Sequence, residues 1–120
     1  MKIFIAHASN FDFKSKVYEP LRNSALNEVH EFIFPQEQGV EVITKDVIKG
    51  IDLLIFDASV PSTGAGIELG WADAFSKRVI CIHEQGARIS SSIPLVTDTV
   101  IEYSDPEDLV RKLTEALDQA

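Results

Sequence analysis

The segment Ser59-Val60-Pro61-Ser62-Thr63-Gly64-Ala65-Gly66-Ile67-Glu68 joins a run with the character of a buried strand, Ile51 to Asp57, to one with the character of a helix, Leu69 to Ser76. Two glycines and three hydroxyl residues stand where the backbone leaves a sheet and enters a helix. Glycine costs roughly 1 kcal/mol against alanine inside a helix, so Gly64 and Gly66 point to something that approaches the main chain closely. Free N–H groups at a helix start form a site for an anion. Glu68 follows, in this reading within the first helical turn. A capping box would explain that carboxylate if Ser or Thr stood three residues earlier, but the position is Ala65. The set therefore reads as a reactive carboxylate beside a phosphate or a sugar.

Other residues could serve the same place. Asp57 ends an apolar strand, where an acid is costly unless hydrogen-bonded. It either accepts from amides of the following loop or contacts a ligand hydroxyl. Ser62 and Thr63 either cap the helix or donate to a phosphate. His7, at the end of the first apolar run, is a candidate ligand contact, and Asp46 reads as a solvated acid on a short helix. Metal binding is not expected, because His7, His30 and His83 share no ligand spacing and no Cys–His pairing is present. The P-loop is absent, since no Gly-Lys-Ser/Thr follows the glycines. The dinucleotide fingerprint lacks its third glycine, which is Leu69, and no Gly-x-Ser-x-Gly elbow occurs.

These groups need a scaffold, and the chain has one domain's length, 120 residues, with 45% hydrophobic and 25% charged content. A net charge of −8 excludes a general nucleic-acid or anionic-membrane surface, which requires a basic face. Any phosphate must be held locally. Cys81, the single cysteine, lies in the apolar run Val79-Ile80-Cys81-Ile82 and reads as core. Without an intramolecular disulfide, a signal-like start or an apolar run near the roughly 20 residues of a membrane span, a cytoplasmic protein is expected.

Apolar runs alternate with helical segments along residues 1–120, without repeat or linker, so a single domain is expected. Strands are expected at Ile3 to Ala6, Val29 to Phe34, Ile51 to Asp57, Val79 to His83 and Thr99 to Tyr103. A first helix capped by Asn10 or Asp12 carries Phe13, Val17 and Leu21 four apart, and Pro20 should kink or restart it at Glu19. A short helix from Val42 to Lys49 closes on Gly50. Another runs from about Gly66 to Ser76, and the last from Pro106 to about Leu117, capped by Ser104 or Asp105. Strands alternating with helices imply an α/β, flavodoxin/Rossmann-like three-layer sandwich with a five-stranded parallel sheet in the order 2-1-3-4-5. Its switch point lies between strands one and three, where ligands bind beyond the carboxyl ends. His7, Asp57 and the glycine junction all fall there.

The stretch Ile51 to Ala72, continuing through Ala74 to Ile82 and the loop Arg88 to Ser92, is similar to the nucleoside 2-deoxyribosyltransferase superfamily, and within it to the 2'-deoxynucleoside 5'-monophosphate N-glycosidases. The likeness covers roughly residues 51 to 103. It implies cleavage or transfer of an N-glycosidic bond of a nucleoside or its monophosphate, with no metal or cofactor. It implies that Glu68 attacks the anomeric carbon, kept ionised by the helix start, and that Ser62 touches the 5'-phosphate. One of Ser90, Ser91 and Ser92 would reach a phosphate from a neighbouring subunit, implying a homodimer or higher homo-oligomer. The chain departs from the family in three places. His7-Ala8-Ser9-Asn10 replaces a glycine-rich loop, Phe4 replaces a tyrosine, and Asp46 matches the acid before strand three only with a two-residue gap. The alternative is a nucleotide-binding or regulatory protein that uses the same crevice without turnover.

Overall fold

The computed structural model describes residues 1–37 and 42–118. Five strands, β1 (Lys2–Ala6), β2 (Glu31–Ile33), β3 (Leu53–Asp57), β4 (Arg78–Glu84) and β5 (Val100–Tyr103), form one sheet in the order β2-β1-β3-β4-β5. Every neighbouring pair is parallel, with Ile5 beside Ile55 and Ile55 beside Ile80. The expected fold class and strand order are therefore those observed.

Successive side chains on a strand point to opposite faces, and both faces here are apolar. Ile3, Ile5, Leu53, Ile55, Ile80 and Ile82 pack on one side against Tyr18, Leu21, Leu109 and Leu113. Phe4, Ala6, Leu54, Phe56, Val79 and Cys81 pack on the other against Ile48, Ala65, Leu69 and Ala72. The first face is covered by a π-helical turn, Lys14–Tyr18, running into α1 (Glu19–Arg22), then α2 (Leu26–Val29) and α5 (Pro106–Asp118). The second is covered by α3 (Lys45–Lys49) and α4 (Thr63–Ala74). Three layers result, and β3 is buried along its whole length.

Local chemistry explains where the elements differ from expectation. The first helix does change register at Glu19, whose N–H donates to the carbonyl of Lys14, five residues back. The ring of Pro20 offers no donor, and the wider π turn absorbs the loss. Val29 belongs to α2 and is 68% exposed, so the second strand starts at Glu31; it is a short edge strand. The short third helix begins at Lys45, and Gly50 closes it with a right-handed φ of −88°. Part of the loop expected at 36–39 lies outside the described residues. Helix α4 starts three residues earlier than expected, because Ser62 caps it by accepting the Ala65 N–H at 3.2 Å. At the last helix Asp105 is the capping acceptor, taking the Asp108 N–H at 2.8 Å. Among the described residues no helix is long and apolar enough to cross a membrane.

Candidate functional site

Helix α4 sets the geometry. Residues three, four and seven apart share a stripe of a helix. Ser62, Gly66 and Leu69 make one stripe, and Ala65, Glu68 and Ala72 the next. Ala65 and Ala72 are buried against the sheet, so Glu68 is carried toward the sheet and is half-buried. It forms no ion pair with the described residues. Burial alone pushes its carboxyl up to about 7. This corrects the expectation that the helix start holds Glu68 ionised. Because the helix opens at Thr63, Glu68 is its sixth residue and lies beyond the first turn, where the dipole acts.

The other stripe faces a cavity of about 350 Å³. Ser62, Gly66, Arg88, Ser90 and Ser92 line it, with apolar walls that include Phe56, Leu69 and Ile93. Four of the nominated residues thus converge, from the start of α4 and from the loop after β4. Glu68 does not line this cavity and sits on the adjoining stripe. Ser91 is exposed and lies outside the lining, as does Gly64. A Cβ built on Gly66 would meet nothing within 4 Å, so packing within the fold does not require glycine there.

Behind Glu68 stands a polar chain that sequence reasoning did not find. His7 Nδ1 donates to the Ala8 carbonyl at 2.8 Å. Its Nε2 is then an acceptor and takes the Tyr18 hydroxyl at 2.6 Å. The Tyr18 oxygen in turn accepts the Gln36 N–H at 3.1 Å. Burial lowers the His7 pKa and keeps the ring neutral. Burial raises the Tyr18 phenol, with a smaller push from the charge of Glu68, which places the two groups in electrostatic reach. Tyr18 also lines a second cavity of about 340 Å³ with Lys14, Arg22, Gln36 and Glu37. In sequence Tyr18 stands between Val17 and Leu21, outside the four-residue spacing of Phe13, Val17 and Leu21. No local signal separates it.

Two nominated acids are placed apart. Asp57 is 1% exposed. Its oxygens accept the Ser59 N–H at 2.8 Å and the Tyr103 hydroxyl at 2.7 Å. That arrangement ties the ends of β3 and β5 to the loop, which is the loop-amide role considered from sequence. Asp46 is exposed in the first turn of α3, a helix that packs on α4. Among the described residues no group of three His, Cys, Asp or Glu is placed to share a metal ion.

The whole chain can be compared with solved structures. The CMP N-glycosidase BcmB of Clostridium botulinum superposes with a TM-score of 0.68 and 26% identity, covering 95% of this chain and 99% of that one. This is the fold of the nucleoside 2-deoxyribosyltransferase superfamily. A 2-desoxiribosyltransferase from Leishmania mexicana shares it at a TM-score of 0.64 and 17% identity, over 94% of this chain and 97% of that one. No protein-family model and no curated protein matches the sequence. The superfamily likeness read from residues 51 to 103 therefore extends, as a fold, over nearly the full chain. One of these neighbours is thus an N-glycosidase of CMP and the other a 2-desoxiribosyltransferase.

Proposed function

We propose that the chain hydrolyses or transfers the N-glycosidic bond of a nucleoside or its 5'-monophosphate, with Glu68 as nucleophile. The observation that carries this reading is the placement of Glu68. It is a half-buried acid without an ion-pair partner among the described residues, on the sheet-facing stripe of α4 and just past a cavity edged with hydroxyls and an arginine. From Ser62 to Glu68 the helix rises about 9 Å, a span that a phosphorylated pentose bridges.

The ionised Glu68 oxygen forms a bond to the anomeric carbon while the bond from that carbon to the base nitrogen breaks. The electron pair leaves with the base, which takes up a proton. Water, or a second base, then displaces the glutamyl ester and regenerates the carboxylate. Burial of Glu68 suits this sequence, because a poorly solvated carboxylate is stabilised by the positive charge that builds on the sugar. Asp46 is the acid that the resemblance implies for the departing base, and its exposed place on α3 makes it the second residue to test. The exposure of Ser91 fits a contact across a homodimer.

Free base released from deoxyribonucleosides, ribonucleosides and their 5'-monophosphates is the direct assay. Release that Glu68→Gln abolishes and Asp46→Asn slows supports the reading. Equal release by Glu68→Gln removes Glu68 as nucleophile. The second reading, a nucleotide sensor without turnover, is favoured by the exposure of Asp46 and by the commitment of both His7 nitrogens within the fold. It predicts thermal stabilisation by a nucleotide and no product.

A further inference from the structure

Asp57 and Tyr103 close the carboxyl end of the sheet with an arrangement that the proposed reaction does not use. Asp57 ends β3, and its side chain is buried. Burial pushes its carboxyl up, and the bonds from Ser59 and Tyr103 oppose that shift. Oδ1 accepts the Ser59 N–H at 2.8 Å, and Oδ2 accepts the Tyr103 hydroxyl at 2.7 Å. An apolar pair at 57 and 103 would join the strand ends without burying an acid. It would not aim an acceptor at the loop that follows β3.

Aim needs a second anchor, because the last torsion of an aspartate is broad and does not fix the plane of its carboxylate. A donor on the far oxygen fixes it. The Tyr103 ring is buried in the same core as Leu109 and Leu113, and its carbonyl accepts the Gln85 N–H at 2.8 Å. Its hydroxyl therefore stands at a set point, and Asp57 Oδ1 is left facing Ser59. At Ser59 the loop is gripped again, since Ser59 Oγ accepts the Glu84 N–H at 2.8 Å from the end of β4. Only Val60 and Pro61, whose φ is fixed by its ring, separate Ser59 from Ser62. Ser62 caps α4 through the Ala65 N–H and lines the cavity. The body of α4 is held separately, by Ala65, Leu69 and Ala72 against the sheet.

We propose that Tyr103 is a positioning residue: through Asp57 it sets Ser59, and thereby the place of Ser62 at the edge of the cavity. Tyr103 touches no substrate. It acts across the sheet, from the end of β5 to the start of α4, through one carboxylate. Its consequence for binding rests on the reading that a substrate occupies the cavity that Ser62 edges. Because packing and not the loop holds the body of α4, loosening the loop moves Ser62 more than Glu68. The loss then falls on binding and spares the chemical step.

The test compares wild type, Tyr103→Phe, Ser62→Ala and the double variant. Amide hydrogen exchange is read at Ser59, at Ala65 and, as a reference within β3, at Ile55. Binding of a nucleoside 5'-monophosphate is read by calorimetry, and KM and kcat from base release. Tyr103→Phe keeps the ring, and its Ser59 and Ala65 amides exchange about threefold or more faster relative to Ile55, the mark of a local opening. Binding weakens about 3- to 10-fold, the scale of one hydrogen bond, through KM and with kcat within about twofold. In the Ser62→Ala background Tyr103→Phe brings no further loss of binding, because a residue that acts through another is not additive with it. Equal acceleration at all three amides shows general destabilisation and overturns the proposal, as does unaltered exchange at Ser59 and Ala65. Binding equal to that of wild type overturns it, and so does a loss that adds in full to that of Ser62→Ala. If wild type binds no nucleotide, the glycosidase reading falls, and the exchange pattern alone upholds or overturns the placement of Ser62 by Tyr103. The expected binding pattern without base release upholds the proposal and sinks the glycosidase reading alone.

Discussion

Replacing Glu68 by Gln should stabilise the protein in alkali and not in acid. Burial lifts the carboxyl from an ordinary 4.5 to about 7. In the unfolded chain the proton leaves near 4.5, and in the folded chain near 7. Between those values the folded state holds a proton that the unfolded state has released, so stability falls as pH rises and levels off above about 7. A shift of that size, fully felt, corresponds to about 3 kcal/mol. Glu68 is only half-buried and water screens it, which reduces the expected effect to about 1–2 kcal/mol. Glutamine titrates no proton and lacks this slope.

The measurement is urea unfolding of wild type and Glu68→Gln at several values between about pH 5 and pH 8, following the single tryptophan, Trp71. The quantity of interest is the variant-minus-wild-type difference. Other titrating groups are common to both proteins, and changes in packing caused by the substitution do not vary with pH, so both cancel. The difference should grow by about 1–2 kcal/mol from the acid to the alkaline end, mostly between pH 5 and 7. A difference that stays constant would show Glu68 to be solvated or ion-paired. A difference that shrinks with rising pH would show a cation beside it. Either result removes the physical basis for a buried nucleophile.

The same ionisation should govern turnover: kcat/KM for base release falls about tenfold per pH unit below about 7 and is level above, and a limb that breaks near 4.5 would contradict it. Gly66→Ala should raise stability in urea unfolding by up to about 1 kcal/mol, the helix propensity it gains, while weakening binding of a nucleoside monophosphate; unchanged binding would show that no ligand approaches that turn. Tyr18→Phe strips the partner from His7 Nε2 and from the Gln36 N–H, and should cost about 1–3 kcal/mol in urea unfolding. A variant as stable as wild type would mean that water or another group satisfies both.

The sheet was legible because its signals are local and redundant. Unbroken runs such as Leu53-Leu54-Ile55-Phe56 require burial on both faces, and their alternation with helical spacing leaves few topologies. The start of α4 was obscured by its own glycines. Gly64 reads as loop and Gly66 as the start of the helix, yet burial of Ala65, Leu69 and Ala72 overrides glycine's reluctance and extends the helix back to Thr63. That three-residue error carried the protonation state of Glu68 with it, since a first-turn carboxylate and a sixth-residue carboxylate feel different fields. Tyr18 was invisible for another reason. Its partner His7 lies 11 residues away and meets it only after the first helix folds back over β1. Arg88 did leave a trace, being the only Lys or Arg between Arg78 and Arg111, but a loop has no periodicity to say which way it faces.

Two helices of this chain allow a comparison that bears on where function lies. Helix α5 follows the local rules at its start. Asp105 caps the Asp108 N–H, Asp108 returns the favour to the Ser104 N–H, and Lys112 and Arg111 pair with Asp108 on the same face. Helix α4 follows the cap rule at Ser62 and then departs from the others. It holds glycine at 64, 66 and 70, where an added Cβ would meet nothing closer than 4.0 Å. It also half-buries a carboxylate that has no ion-pair partner among the described residues. Each departure opposes stability, and alanine or glutamine at these positions would relieve it. Consistency between local preference and fold is the general condition of a stable domain. A helix that breaks it repeatedly, beside the cavity lined by Ser62, Gly66, Arg88 and Ser90, carries residues that stability alone does not explain.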